Sequence, residues 1–482
     1  MRRRVFLSVL WTTAGLLGLP LVCQAESLLL VKGGTILTME PGEILPFEGW
    51  FTVDADGRID EIGEGAPPAD IEASDTVDAT GKIILPGFIS AHSHLWSAPF
   101  RGIASEDNLY AWIAAAHTPF GDYFKGDDFH VLTMYGALDF TSHGITTAYN
   151  WVANYGWDYD EWMGHFTGSL ACEQRIIFGW AVDIEQSEAV NRERLAAFID
   201  EAEGLKKDHP NLLDISLSAL GMLRGDTEFP WMEGRLMEEF GIDAQTHYLE
   251  APEIKHVQHQ QFKILEDSGM LCDQLHFAHF IHTTEDILHK TVEAGTRMCW
   301  NPLSNGRLGS GLADIPKYRR AGMRIGMGLD GQASGDHSDP FENMRMGLYA
   351  TRMKYESAAI MTPYQVLALH TIDSAEMLNV DAHVGSLEPG KFADFLIMNP
   401  LEPDAGPIID VYATVVMVLS TRNLERVYIG GEKVYANGIF TNHDWPAIRD
   451  DSHARVERMI REIEADGGEV PVPSYLNHFY QP

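Results

Sequence analysis

Between residues 83 and 328 the chain repeats one pattern eight times: a short apolar run, then a stretch of helical texture. The runs fall near 83–91, 145–149, 176–180, 214–220, 243–246, 274–278, 297–300 and 324–328. Strands alternating with helices predict a parallel α/β sheet, because parallel neighbours need a crossover between them. An open doubly wound sheet and a closed (β/α)8 TIM barrel both satisfy that alternation, and eight units over roughly 300 residues is the scale of a barrel with insertions. The polar residues separate the two. Nearly every run is apolar until its end and then turns to chemistry: His92 and His94, Asn150, His247 with Glu250, His279, Asn301, Asp330. An open sheet would spread these along an edge, whereas a barrel brings all eight ends to one mouth.

The flanks have a different texture. Residues 27–81 form short alternating runs broken by Gly, Pro and Asp, and a similar texture returns at 385–399 and 424–440. This predicts a small β-sandwich built from both chain ends, with parts at 26–82 and 384–440, around a barrel at 83–383 and before a C-terminal extension at 441–482. At 482 residues and 45% hydrophobic, the chain can bury both cores.

Residues 1–25 read as a signal peptide, with a basic start, an apolar run too short to span a bilayer comfortably, and Ala25 at the cleavage point. Within them Arg3-Arg4-Val5-Phe6-Leu7 resembles a twin-arginine signal, which predicts a periplasmic or secreted protein with no membrane insertion after signal removal. Val22 before Cys23 argues against lipidation. The formal charge is −35; without the three arginines of residues 1–25, which hold no acid, 32 basic residues face 70 acidic ones. Such a surface repels phosphates, so nucleic acid is excluded and a small molecule is the expected partner. Nothing in the sequence opposes a homo-oligomer. Cys172, Cys272 and Cys299, the cysteines after the signal, match no disulfide framework or Cys-based zinc site.

His92 and His94 are two residues apart, and on a strand that spacing sends both side chains to one face. A single buried histidine is more often a core residue than a ligand, and the chain has 20. A pair at one strand end, with His247, His279 and Asp330 at others, weighs the other way. Imidazole nitrogens with a carboxylate suit a divalent cation, so His92, His94, His247 and Asp330 are the candidate ligands. A divalent ion is expected, zinc first, with iron or manganese as alternatives.

Taken in order, "LPGFISAHSH", "FRGIASEDNLYAWI", "SHGITTAYN", "THYLE", "FAHFIH", "NPLSNGRLGSG", "GLDGQAS" and "VGSLEPGKFADFLI" resemble the amidohydrolase superfamily over about residues 28–440. The likeness is to its deaminase and chlorohydrolase branch, which includes S-adenosylhomocysteine deaminase, guanine deaminase and atrazine chlorohydrolase. The resemblance implies the same barrel and β-sandwich, the same four ligands, and hydrolysis by metal-activated water. It makes Glu250 the proton shuttle, His279 the histidine near that water, and Asp330 both ligand and catalytic group. Branches with two metals carry a lysine at the end of strand four; here that end reads "SLSALGMLRG", so one metal is implied.

Three places depart from the branch: Trp300-Asn301-Pro302 where relatives have His-Asn-Pro, no Ala-Pro-like turn after strand four, and the aromatic-rich "YNWVANYGWDYDEW" after strand two. All are expected at the mouth, so the relatives' substrates do not transfer. Trp96, Trp151 and Trp300 are the candidate substrate residues; the aromatic segment either stacks on a flat substrate or packs against the barrel. The preferred reading is a hydrolytic deaminase of an amino-substituted heterocycle. The alternatives are an amidase or another C–N, C–Cl or C–S hydrolase, and an inactive binding scaffold.

Overall fold

The computed structural model describes residues 27–470 except 155, 224–226, 402 and 404. The signal-peptide reading of residues 1–25 lies outside the described residues. Five strands come first: β1 (Ser27–Ile36), β2 (Phe47–Val53), β3 (Ile59–Glu64), β4 (Ala73–Asp78) and β5 (Ile83–Pro86). Eight barrel strands follow: β6 (Phe88–Ser93), β7 (Ile145–Trp151), β8 (Arg175–Ala181), β9 (Leu212–Ser218), β10 (Ala244–Tyr248), β11 (Leu275–His279), β12 (Arg297–Trp300) and β13 (Ile325–Met327). The last four are β14 (Phe395–Met398), β15 (Leu424–Ile429), β16 (Glu432–Ala436) and β17 (Ile439–Phe440).

Strands β6 to β13 pair in parallel in sequence order, and a parallel bridge between Ser93 and Asp330 closes the ring. All their residues are buried except two in β9. Both faces are covered, by barrel interior and by outer helices, which is why these strands read as near-continuous apolar runs. The (β/α)8 expectation holds.

The run 83–91 is two strands rather than one. Its first half, β5, pairs with β1 and β14, and only β6 enters the barrel. The break falls at Gly87, where a Cβ would lie 2.0 Å from Thr146 Oγ1, so the chain passes β7 too closely for a side chain.

The remaining nine strands form one sheet, ordered β17-β16-β15-β14-β5-β1-β2-β3 with β4 beside β1. It folds over on itself. Phe51 on β2 meets Phe395 on β14 edge to face with ring centres 5.0 Å apart, although in a flat sheet the two strands would be about 14 Å apart. Arg175 of β8 pins this sheet to the barrel base: it donates to Asp394 at 2.6 and 2.9 Å, both side chains almost fully buried, and lies over the Phe392 ring.

The extension after 441 contains a helix, Trp445–Ala465, with Asp444 capping its start. Arg455 and Arg458 pair with Asp128 at the start of helix Asp128–Ser142. Met459 and Ile463 pack into an aromatic cluster with Trp96, Phe100, Trp112, Phe120 and Phe129. No helix of the described residues is long and apolar enough to cross a membrane.

Candidate active site

The barrel mouth gathers His92, His94, His247 and Asp330, with one potential ligand atom from each lying within 4.8 Å of all the others. His247 Nε2 is 3.1 Å from His92 Nε2 and 3.3 Å from His94 Nε2. Asp330 Oδ1 is 3.2 Å from His94 Nε2 and 3.5 Å from His92 Nε2.

The outer nitrogens show what this geometry needs. His92 Nδ1 sits 2.6 Å from Gln245 Oε1, and His94 Nδ1 sits 2.9 Å from the Trp151 carbonyl. Both acceptors lack a proton, so each Nδ1 donates one and each ring turns its Nε2 inward. Burial, then neighbouring histidine charge, holds His92 and His247 well below the usual histidine range, which keeps them neutral. Converging lone pairs beside a carboxylate repel one another unless a cation sits among them. Three imidazoles and one carboxylate fit one divalent metal with a position left for water.

Backbone strain aims the remaining groups. Leu249, His279, Phe280 and Asp330 all have φ between +44° and +74°, a region that costs a residue other than glycine about 1–3 kcal/mol. These left-handed residues lie at or just past the ends of β10, β11 and β13. They turn Glu250, His279 and Asp330 into the mouth.

His279 Nε2 is 3.5 Å from Glu250 Oε2 and 3.9 Å from Asp330 Oδ2. Its Nδ1 faces the amide nitrogens of Asn305 at 2.8 Å and Asn301 at 3.4 Å. With those amides donating, Nδ1 accepts and the ring proton sits on Nε2, towards the two carboxylates. Burial pushes the His279 pKa down to about 4. Glu250 goes the other way: both its oxygens are shut from solvent without a hydrogen-bond partner, and burial, then the Asp330 charge, raises it well above the usual carboxylate range. That direction favours the protonated carboxyl, the form a general acid needs.

A cavity of about 350 Å³ opens over these groups, walled by Trp96, Trp112, Trp151 and Trp157. Trp96 and Trp151 stand where the sequence reading puts them. Trp300 does not: its ring is fully buried, and its outer edge lies 2.6 Å from where a Cβ on Gly347 would sit, in helix Pro340–Tyr355. The aromatic segment divides. Trp151 and Trp157 line the cavity, whereas Trp162 is fully buried and Tyr149 packs behind, donating to Ser216 Oγ at 2.8 Å.

Four contributors escaped the sequence reading. Gln245 stands two residues before His247, so strand periodicity places it on the same face. Asn305 lies inside "NPLSNGRLGSG", but nothing local ties it to His279. Trp112 and His117 line the cavity from the segment after strand one, with no signal in their spacing.

A closed barrel carrying this donor set beside a buried acid defines a metal-dependent hydrolase. The chain belongs to the amidohydrolase family, whose model matches residues 83–434. It is 27% identical over 416 residues to 5-methylthioadenosine/S-adenosylhomocysteine deaminase of Bacillus cereus strain AH820, covering 84% of this chain and 93% of that one. Among solved structures, an adenosine deaminase from Xanthomonas campestris with bound zinc superposes at TM-score 0.76, with 19% identity over 90% of this chain and 99% of that one. An atrazine chlorohydrolase from Arthrobacter aurescens with zinc gives 0.76, with 20% identity over 89% and 100%.

Proposed function

We propose that the protein deaminates an amino-substituted heterocycle by hydrolysis, with zinc as its one metal. The carrying observation is Glu250, a buried carboxyl without a hydrogen-bond partner, 3.5 Å from His279 and facing a tryptophan-walled cavity, its pKa raised by burial. Ammonia leaves a ring carbon only after its nitrogen is protonated, and Glu250 is placed to supply that proton. The deaminase name of the relative supports the same reading, as does zinc in both solved neighbours.

A bound divalent cation supplies a water of lowered pKa. Asp330 Oδ2 is placed to accept a proton from the attacking water, and His279 Nε2–H to hold the incoming oxygen. Glu250 protonates the departing nitrogen and is restored by the proton that Asp330 took from the water, so neither carboxyl changes over the cycle. A C–O bond forms, the C–N bond breaks, and one water proton ends on ammonia.

The test is ammonia release by the purified protein from 5′-methylthioadenosine, adenosine, guanine and aminotriazines, with simple amides alongside and metal content measured. Ammonia from one or more ring amines, lost on His92→Ala, is expected. Turnover of amides alone would overturn the reading. Export by the twin-arginine route belongs to the same proposal, supported by Arg3 and Arg4 before an apolar run. Replacing both by lysine should retain the protein in the cytoplasm, and unchanged export would refute it.

A further inference from the structure

The cavity wall contains one polar ring that the mechanism does not use. His117 follows helix Leu109–Ala116 and sits between Trp96 and Trp112, with ring centres 5.0 and 4.5 Å away. It lines the cavity beside the proposed reaction centre. Its Nε2 is closed off from solvent without a partner, while the partly buried ring leaves Nδ1, also unbonded to any described residue, as the nitrogen a cavity ligand can reach. Burial brings its pKa down to about 3, so the ring is neutral and offers one N–H donor and one lone pair.

A phenylalanine would fill the same wall without leaving a ring nitrogen unpaired. An imidazole here makes physical sense when the ligand supplies its partner. We propose that His117 is a specificity residue that hydrogen-bonds a ring nitrogen of the substrate heterocycle, on the edge away from the reacting carbon. This rests on the deaminase reading. The tryptophans then select for flatness and apolar area, and His117 selects for which nitrogen the ring carries and where.

The test compares wild type with His117→Phe on 5′-methylthioadenosine and its 3-deaza and 7-deaza analogues, read as ammonia release, or as Ki where turnover is slow. For the parent nucleoside His117→Phe should raise KM about 10–100-fold, with kcat changed less than about threefold. For the deaza analogue lacking the contacted nitrogen, wild type should already bind weakly and the substitution should add nothing. His117→Gln, which keeps a donor and an acceptor, should recover part of the loss. His117→Met stands in if the phenylalanine variant does not fold. Equal effects on all three compounds, or none, would overturn the inference while leaving the deaminase reading intact. A wild type that deaminates no heterocycle removes both.

Discussion

Gln245 makes the most direct test of how the ligand set is held. Its side chain is fully buried in β10, accepting from His92 Nδ1 at 2.6 Å and donating to the Ala91 carbonyl at 2.9 Å. Gln245→Leu keeps the volume and removes both bonds, stranding an N–H and a carbonyl in a dry core. At about 1–3 kcal/mol per stranded group, the metal-free protein should lose about 2–6 kcal/mol. His92 also loses the contact that fixes its tautomer, and loss of such a partner weakens metal binding about 10–100-fold, or about 1.4–2.7 kcal/mol. His94 is held by a main-chain carbonyl and His247 Nδ1 has no partner among the described residues, so no second side chain compensates. Gln245→Glu supplies a stronger acceptor and should hold metal at least as tightly as wild type. Competition with a chromophoric chelator gives the affinity, and thermal melts with and without chelator separate it from stability. A leucine variant that keeps wild-type metal affinity and an unchanged metal-free Tm would refute the argument.

Glu250→Gln preserves shape but cannot give up a proton, so kcat should fall about 10²–10⁴-fold with metal content unchanged by elemental analysis. Asn305→Ala frees His279 Nδ1 to carry the ring proton; kcat should drop about tenfold or more while metal content holds, and nitrogen NMR of the ring should report the altered tautomer. Arg175→Met strands the buried Asp394 carboxylate and should cost about 3–5 kcal/mol in urea unfolding, with the double variant Arg175→Met/Asp394→Leu recovering much of it. His370 is fully buried, bonded to the Ile89 carbonyl and the Asn343 amide, and held down at about 4 by burial. Its unfolded pKa is about 6.5, so stability should be flat above that and fall as pH drops towards 4, by up to about 3 kcal/mol. His370→Gln should lose less between pH 7 and pH 4.5, measured as urea midpoints.

The barrel and its cluster of candidate ligands were legible because two periodicities agree. Apolar runs mark the strands, and polar residues at their ends mark the mouth, so His92, His94, His247 and Asp330 could be grouped across more than 200 positions. The run 83–91 misled because an apolar pattern does not say which sheet a strand joins; Pro86-Gly87 was the available sign. Trp300 misled for a reason the alternation rule supplies. Asn301 faces inward to His279, so its neighbour Trp300 faces outward to the helices. The aromatic segment was undecidable from composition, since cavity wall and packing use the same residues and Trp157 and Trp162 do one each. His117 and Asn305 depend on where loops return, and no local spacing encodes that.

Barrel closure and completion of the ligand set are one structural event. Asp330 donates its main-chain N–H to the His92 carbonyl at 3.0 Å, the contact that joins last strand to first, and the same residue's side chain is the one carboxylate of the candidate ligand set. Its φ of +65° is unfavourable for an aspartate in isolation. It is tolerated because the closing bond and the Gly331 N–H, 2.7 Å from Oδ1, hold main chain and carboxylate together. Opening the barrel at this seam therefore withdraws the carboxylate from the three imidazoles, and a cation bound among all four resists that opening. Metal should accordingly protect the seam between β6 and β13 more than the opposite wall around β9. Amide exchange at Asp330 and Leu329, slowed by metal while Ile215 and Leu217 stay unchanged, is the expected pattern, and uniform slowing would contradict it.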